Sequence, residues 1–139
     1  MKVCDVMSRG VEVAGAFTSI VAAAKVMRRY GIGFLPVVED GLPIGVVTDR
    51  DIVLRGIGEG RNPHLTSVGD IMTRATIWCY EDEVLTEAAR IMEDNHVRRL
   101  LVLDEKRRLV GLLSIDDLAA KMSSDRLLGT VVRHVMAVA

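Results

Sequence analysis

The sequence predicts an α+β fold built from one supersecondary unit that occurs twice in tandem. The main observation is an internal repeat, in which residues 3–8 match residues 68–73 and residues 45–52 match residues 111–118. In both copies helical apolar spacing alternates with short β-branched runs. Hydrophobic residues make up 50% of the 139 residues and charged residues 27%, which is typical of a globular chain. One copy alone would bury little apolar surface, so the two copies are expected to bury their apolar faces against each other.

The first copy is predicted to run strand–helix–strand–strand–helix after a short helical turn. A helix over about 18–30 follows from apolar residues at helical spacing, with Thr18 or Ser19 as N-cap and Gly31 as terminator. The turn 39–41 predicts an antiparallel hairpin, whereas the helix-linked strands are expected to be parallel. The predicted elements are a helical turn at 3–7, strands at 11–13, 34–38 and 43–47, and a helix over about 49–57.

The second copy repeats this order. The predicted elements are a helical turn at 68–72, strands at 76–80, 99–104 and 109–114, and helices at 83–95 and 114–122. A last segment carries an apolar stripe at helical spacing, which predicts an amphipathic helix that packs on this chain or on a second subunit. The predicted organisation is a first repeat at 1–60, a linker at 61–67, a second repeat at 68–123 and the C-terminal helix at 124–139.

Composition excludes several classes of function. The formal net charge of -1 gives no reason to expect nucleic acid or an anionic membrane as a partner. No segment is apolar for long enough to predict a signal peptide or a membrane span, so a cytoplasmic protein is expected. Cys4 and Cys79 are isolated and are expected to be small buried hydrophobes, and the three histidines have no metal-ligand spacing. No catalytic constellation is recognisable, so enzymatic activity is not expected.

A hydroxyl and an acid three residues later stand at the end of each copy, where a strand meets a helix. These pairs are Thr48 with Asp51 and Ser114 with Asp117. One interpretation is a capping box, in which both side chains bind backbone amides of the helix start. The other is a nucleotide site, since a helix N-terminus and a hydroxyl suit a phosphate, and a carboxylate accepts hydrogen bonds from ribose hydroxyls. The sequence leaves both interpretations open.

These ends, together with Gly-Ile-Gly-Phe-Leu-Pro-Val-Val at residues 31–38, resemble the tandem CBS-domain pair, or Bateman module. The resemblance covers nearly the whole chain, and the small size is similar to stand-alone bacterial members, some of them stress- or hypoxia-associated. It implies two α+β halves packed through their sheets with two clefts between them. Members of the family typically bind adenosine nucleotides there, less often S-adenosylmethionine or NAD, and they often form homodimers.

The resemblance also implies roles for individual residues. Asp51 and Asp117 would hold ribose, Thr48 and Ser114 phosphate, and Ile32 and Val97 would line an adenine slot. An arginine that contacts phosphate in many members is present as Arg98 in the second copy, whereas the first copy has Gly33 there and acidic Asp49 beside Thr48. The second-copy site is therefore predicted to bind nucleotide more tightly.

The predicted function is a regulatory sensor that binds AMP, ADP or ATP and requires no cofactor. A homodimer and an unidentified effector protein are the expected partners, with no membrane and no nucleic acid. The alternatives are a ligand-free module for dimerisation or interaction, in which both motifs serve only as caps, and binding of S-adenosylmethionine or NAD.

Overall fold

The computed structural model describes residues 1–121 together with Gly129, Val132 and Arg133. The chain forms two compact units. The first-copy unit contains Glu12–Thr76, and the second-copy unit contains Met1–Val11 with the described part of Ile77–Ala139. The units thus differ from the sequence repeats, because each copy's opening segment belongs to the other copy's unit. The predicted helix 124–139 lies outside the described residues, apart from three helical positions.

In the first-copy unit, the long helix, the hairpin of two strands and the start of the next helix follow in the predicted order. Ser19 caps α1 by accepting a hydrogen bond at its Oγ from the Ala22 amide (3.1 Å), and Gly31 ends the helix in the left-handed region (φ 64°). Both assignments follow the sequence prediction. The elements are α1 (Ile20–Tyr30), β1 (Phe34–Glu39), β2 (Leu42–Thr48), α2 (Asp49–Asp51) and α3 (Val68–Ile71).

Two predicted elements of this unit differ in the structure. The strand predicted at 11–13 is not formed. The next residue, Ala14, makes an isolated parallel bridge to Val37, and the chain then turns at Gly15, whose amide donates to Thr18 Oγ1 (3.1 Å). The helix predicted over about 49–57 is regular only in α2. It continues as a π-helical segment (Ile52–Gly56) and a 3-10 turn (Ile57–Glu59). Gly56 lies so close to α1 that a Cβ placed on it would be 2.8 Å from Cδ1 of Ile20.

The second-copy unit contains a three-stranded sheet. The 3-10 turn Val3–Asp5 precedes β3 (Trp78–Tyr80), α4 (Leu85–Asn95), β4 (Arg99–Leu103), β5 (Leu109–Ser114) and α5 (Ile115–Lys121). β3 and β4 are connected by the crossover helix α4 and pair in parallel, whereas β4 and β5 pair in antiparallel orientation. This mixture confirms the predicted α+β class and both predicted strand orientations.

The opening segments extend the two hairpins. Ser8 bridges Leu112 of β5, with hydrogen bonds of 2.9 and 3.0 Å, and Thr73 bridges Val46 of β2, with two of 2.9 Å. Backbone pairing along the hairpin edges therefore explains why these segments belong to the opposite copy's unit.

Each unit has its own apolar core, and the cores use matched positions of the repeat. In α1 and α4, Ile20 matches Leu85 and Met27 matches Met92, and all four side chains are buried. The predicted apolar faces of both helices are therefore confirmed. Further core members are Ala23, Leu35, Val37 and Val47 in the first-copy unit, and Ala88, Leu100, Val102 and Leu113 in the second-copy unit.

The two cysteines are expected to differ sharply in reactivity. Cys79 is buried as predicted, whereas Cys4 is only partly buried. Burial, assisted by the charge of Glu83, raises the pKa of the Cys79 thiol to about 12. Because the thiolate is the nucleophile, the native protein at pH 8 should be alkylated at Cys4 long before Cys79.

Mass spectrometry of the two cysteine peptides checks this prediction. In guanidinium chloride, where burial is lost, both thiols should react at similar rates. Equal rates in the native state would contradict the buried position of Cys79.

Candidate functional site

The first of the two predicted motifs forms a capping box at the start of α2. The Asp51 amide donates to Thr48 Oγ1 (3.1 Å), and Asp51 Oδ2 accepts from the Thr48 amide (3.0 Å). The other carboxylate oxygen, Oδ1, lies 3.8 Å from Nε of Arg55. The capping interpretation is therefore realised, and it uses one of the two carboxylate oxygens.

The second motif has the same geometry at the start of α5. The Asp117 amide donates to Ser114 Oγ (3.1 Å), and Asp117 Oδ2 accepts from the Ser114 amide (2.9 Å). Ser114 and Asp117 are both partly buried. Capping does not exclude ligand binding, because a hydroxyl and a carboxylate each keep acceptor capacity beyond one hydrogen bond.

In both units, the loop after the long helix lies directly against this motif. The Ile115 amide donates to the carbonyl of Arg98 (2.9 Å), and the Asp49 amide donates to the carbonyl of Gly33 (3.0 Å). The predicted adenine-slot and phosphate positions therefore adjoin the predicted ribose position within each unit. We call these groups the first-copy corner (Ile32, Gly33, Thr48, Asp49 and Asp51) and the second-copy corner (Val97, Arg98, Ser114 and Asp117).

Adjacency to this loop distinguishes the corners from other caps in the chain. Ser67 and Asp70 have the same spacing at the start of α3, where Asp70 Oδ2 accepts from the Ser67 amide and hydroxyl (both 3.0 Å). These hydrogen bonds lower the pKa of the Asp70 carboxyl below its usual value. A hydroxyl followed by an acid is therefore not a site by itself, and sequence reasoning did not note this third occurrence.

Position 33 of the first-copy corner, the match of Arg98, is a glycine that lies against the carboxylate of Asp49. A Cβ placed on Gly33 would lie 2.6 Å from Oδ2 of Asp49. The Asp49 side chain thus occupies the space in which a side chain at position 33 would begin, while its Oδ1 accepts from the Arg50 amide (2.9 Å). Arg50 itself, the basic residue of this helix start, is exposed.

Arg55 is a functional candidate that sequence reasoning missed. Besides its contact with Asp51, its Nη1 lies 3.3 Å from the carbonyl oxygen of Ile71 and 3.4 Å from that of Met72. The guanidinium therefore binds the end of α3 and does not replace the missing arginine at position 33. The sequence signal for the contact between Arg55 and Asp51 was their four-residue spacing on a predicted helix.

The second-copy corner combines a cation with the hydroxyl and the acid. Val97 is partly buried against the core of its unit, and Arg98 is exposed. Arg99 lies opposite Ser114 in the register of β4 and β5. Asp116, at the position of Arg50, is exposed. The corner thus contains an arginine and a hydroxyl, which suit a phosphate, and a carboxylate, which suits a diol.

Structural roles are visible for His96 at the end of α4 and for an aromatic pair on β3. His96 occupies the left-handed C-cap position of α4 (φ 53°), where α1 has Gly31. Trp78 and Tyr80 are half-buried on β3 with their rings edge to face at 5.0 Å, and the Arg107 guanidinium lies 5.1 Å from the Trp78 ring. These contacts explain the positions of His96, Trp78 and Tyr80 without reference to a bound ligand.

Across residues 1–121 and the three later described positions, no three histidine, cysteine or acidic side chains are grouped so as to hold a metal ion. No helix in that part of the chain is both long and apolar enough to cross a bilayer.

Comparison with known proteins relates this geometry to a family. The family model for the CBS domain matches residues 3–57 and again residues 68–124. Hypoxic response protein 1 of Mycobacterium tuberculosis is 34% identical over 116 residues, which are 83% of this chain and 80% of that protein. An uncharacterized protein of Methanopyrus kandleri is 34% identical over 119 residues, which are 85% of this chain and 61% of that longer protein.

Solved structures give the same relationship. Hypoxic response protein 1 with two coordinated zinc ions superposes with a TM-score of 0.78 at 32% identity, covering 88% of this chain and 99% of that one. The CBS domain pair of protein MJ0100, in complex with 5′-methylthioadenosine and S-adenosyl-L-methionine, gives 0.74 at 29% identity, covering 86% and 98%. CBSX2 in complex with AMP gives 0.69 at 27% identity, covering 99% and 97%.

Proposed function

The chain belongs to the CBS-domain family as a tandem pair, and on that premise we propose that it is a regulatory module that binds adenosine nucleotides. The second-copy corner is the principal site. Asp117 accepts hydrogen bonds from the ribose hydroxyls, Ser114 and Arg98 bind the phosphate, and Val97 contacts the adenine. The module has no catalytic role and requires no cofactor.

The observation that supports this proposal most strongly is the contact between the 97–98 loop and the start of α5. The hydrogen bond from the Ile115 amide to the Arg98 carbonyl holds the backbone of this loop beside the motif that carries the hydroxyl and the acid. A phosphate needs the cation and the hydroxyl, and a ribose needs the acid. The combination thus suits a nucleoside phosphate better than either a free sugar or a free phosphate.

The relatives favour an adenosine moiety. Their structures contain AMP in one case and methylthioadenosine with S-adenosylmethionine in another. In this chain Arg98 favours the ligands with a phosphate, because a guanidinium gains more from a phosphate than from a neutral or cationic sulfur group. We therefore propose AMP, ADP or ATP as the regulatory ligand.

A ligand-free interaction module is the second candidate function. Both motifs form complete capping boxes, which is the arrangement expected if they serve only the helix starts. In this alternative Arg98 would be a surface residue, and nucleotides would leave the stability of the protein unchanged.

Thermal denaturation with a panel of ligands separates the two functions. A ligand at 100 times its dissociation constant stabilises the folded state by about 2.7 kcal/mol, which raises the melting temperature by several degrees. We expect AMP, ADP or ATP to give such a shift, and adenosine, S-adenosylmethionine and NAD to give smaller ones.

The controls are guanosine and cytidine monophosphates, which have the ribose phosphate without adenine. No shift with any member of the panel would reject nucleotide sensing in favour of the interaction module. Equal shifts with adenosine and AMP would remove the phosphate role of Ser114 and Arg98.

A further inference from the structure

Arg55 connects the first-copy corner to the opening segment of the second copy. Its Nε lies 3.8 Å from Oδ1 of Asp51, and its Nη1 lies 3.3 Å from the carbonyl oxygen of Ile71 and 3.4 Å from that of Met72. All four residues belong to the first-copy unit. One guanidinium thus contacts a carboxylate and two carbonyls through different nitrogen atoms, which its planar shape with several donors allows.

The carbonyls that Arg55 contacts stand at a helix end. α3 covers only Val68–Ile71 with Met72 as its C-cap, and the last carbonyls of a helix have no partner inside the helix. A basic side chain is well suited to bind them. The side chains of Ile71 and Met72 are buried in the first-copy core, so packing holds these carbonyls in place.

The contact with Asp51 leaves its carboxylate able to bind a ligand. A separation of 3.8 Å exceeds the length of a hydrogen bond, so Arg55 and Asp51 form an ion pair only. Oδ2 of Asp51 accepts from the Thr48 amide, whereas Oδ1 keeps its lone pairs and is oriented by the neighbouring guanidinium. A ribose hydroxyl can therefore donate to Oδ1 without taking a hydrogen bond away from Arg55.

The helix that carries Arg55 departs from regular geometry at this point. The second copy is α-helical over Ile115–Lys121, whereas the first copy is π-helical over Ile52–Gly56. Short π-helical segments occur frequently at functional sites. Lys121 stands at the repeat position of Arg55 and is exposed. A lysine has a single nitrogen and cannot contact a carboxylate and a helix end through separate atoms.

The segment that Arg55 binds leads out of the first-copy unit. Thr73 follows Met72 directly and pairs with Val46 of β2 through two hydrogen bonds of 2.9 Å. The chain then enters the second-copy unit at Ile77. The residues bound by Arg55 therefore lie shortly before the point where the chain passes from one unit to the other.

From these contacts we propose that Arg55 is a positioning residue of the first-copy corner, which orients Asp51 for a ribose and couples ribose binding to residues 71–73. This role rests on the proposed nucleotide-binding function. A ribose that hydrogen-bonds to Asp51 restricts the carboxylate, and the carboxylate restricts the guanidinium that holds the end of α3. Such coupling is reciprocal, so a firmly held α3 also favours ribose binding.

Hydrogen exchange followed by mass spectrometry tests the proposal in the chain carrying Asp117→Asn, where the second-copy corner lacks its ribose acid. Adenosine is the probe, since its ribose reaches Asp51 without a phosphate for Asp49 to repel. We expect saturating adenosine to slow exchange in the peptide containing the Thr73 amide about two- to fivefold, the range of one partly exposed ion pair. 2′-Deoxyadenosine, which lacks one ribose hydroxyl, should have a smaller effect.

Substitutions of Arg55 separate positioning from a purely structural role. Arg55→Gln removes the charge, and Arg55→Lys keeps the charge but loses the second contact. Both should abolish the slowing by adenosine at Thr73 and weaken adenosine binding about two- to fivefold in isothermal titration. A purely structural arginine would change exchange equally with and without adenosine, so the adenosine effect would persist in both variants.

Lys121→Gln is the matched control, because it removes the charge at the same repeat position of the second copy. It should change neither the affinity for adenosine nor the exchange near Thr73. Circular dichroism melting checks that each variant is folded.

Several results would overturn the coupling. They are adenosine binding without slower exchange at Thr73, slowing that persists in Arg55→Gln, an Arg55→Lys variant that behaves like its parent, and no adenosine binding to the Asp117→Asn chain. The thermal shift of the unsubstituted chain with AMP tests the proposed function separately. A shift with AMP but no adenosine effect at Thr73 rejects the coupling alone, whereas no shift with any ligand rejects both.

Discussion

Arg98→Ala is expected to weaken AMP binding about ten- to a hundredfold and to leave adenosine binding unchanged. The substitution removes a charge-assisted contact to phosphate worth about 1.5–3 kcal/mol, which corresponds to that range of affinity. Isothermal titration with both ligands measures the two effects. A loss of affinity for AMP without a loss of affinity for adenosine is specific to phosphate recognition, since a general disturbance of the site would weaken the binding of both ligands.

Arg108 provides the matched control. It lies at the turn end of the β4–β5 hairpin, whereas Arg99 and Ser114 are paired at the opposite end. Arg108→Ala removes a charge from the same unit and should leave AMP binding unchanged. If Arg98→Ala also has no effect, the ranking of the two corners is wrong and the phosphate role of Arg98 is rejected.

Most of the fold was predictable because the repeat and the local patterns agree. The apolar spacing of α1 and α4 and the cap at Ser19 each depend on residues close in sequence. The membership of Met1–Val11 in the second-copy unit was not predictable, because it depends on backbone pairing between Ser8 and Leu112, a hundred residues away. No local pattern encodes such a long-range pairing.

The residues of the two candidate corners could be named from the sequence, whereas their packing could not. Sequence alone indicated that Gly33 and Asp49 make the first-copy corner less favourable for phosphate. That the Asp49 carboxylate occupies the space beside Gly33 required three-dimensional positions. The helical spacing of Arg55 and Asp51 was visible in the sequence, whereas the binding of Arg55 to the end of α3 depends on contacts that no spacing rule supplies.

The packing of Asp49 against Gly33 leads to a prediction of gained function. Gly33→Arg with Asp49→Ile gives the first-copy corner the residues of the second. In an Arg98→Ala background, the pair is expected to raise the affinity for AMP by about ten- to a hundredfold through the first-copy corner. Titration against the Arg98→Ala parent measures the gain.

The two single substitutions should not reproduce this gain. In Gly33→Arg alone, the new side chain meets the Asp49 carboxylate, which would both crowd it and pair with its guanidinium. In Asp49→Ile alone, a repulsive charge is removed but no cation is supplied. The effects should therefore be non-additive, as is usual for residues in contact. If the pair restores nothing although Arg98→Ala weakened binding, the first-copy corner is a helix cap only, and the module has a single nucleotide site.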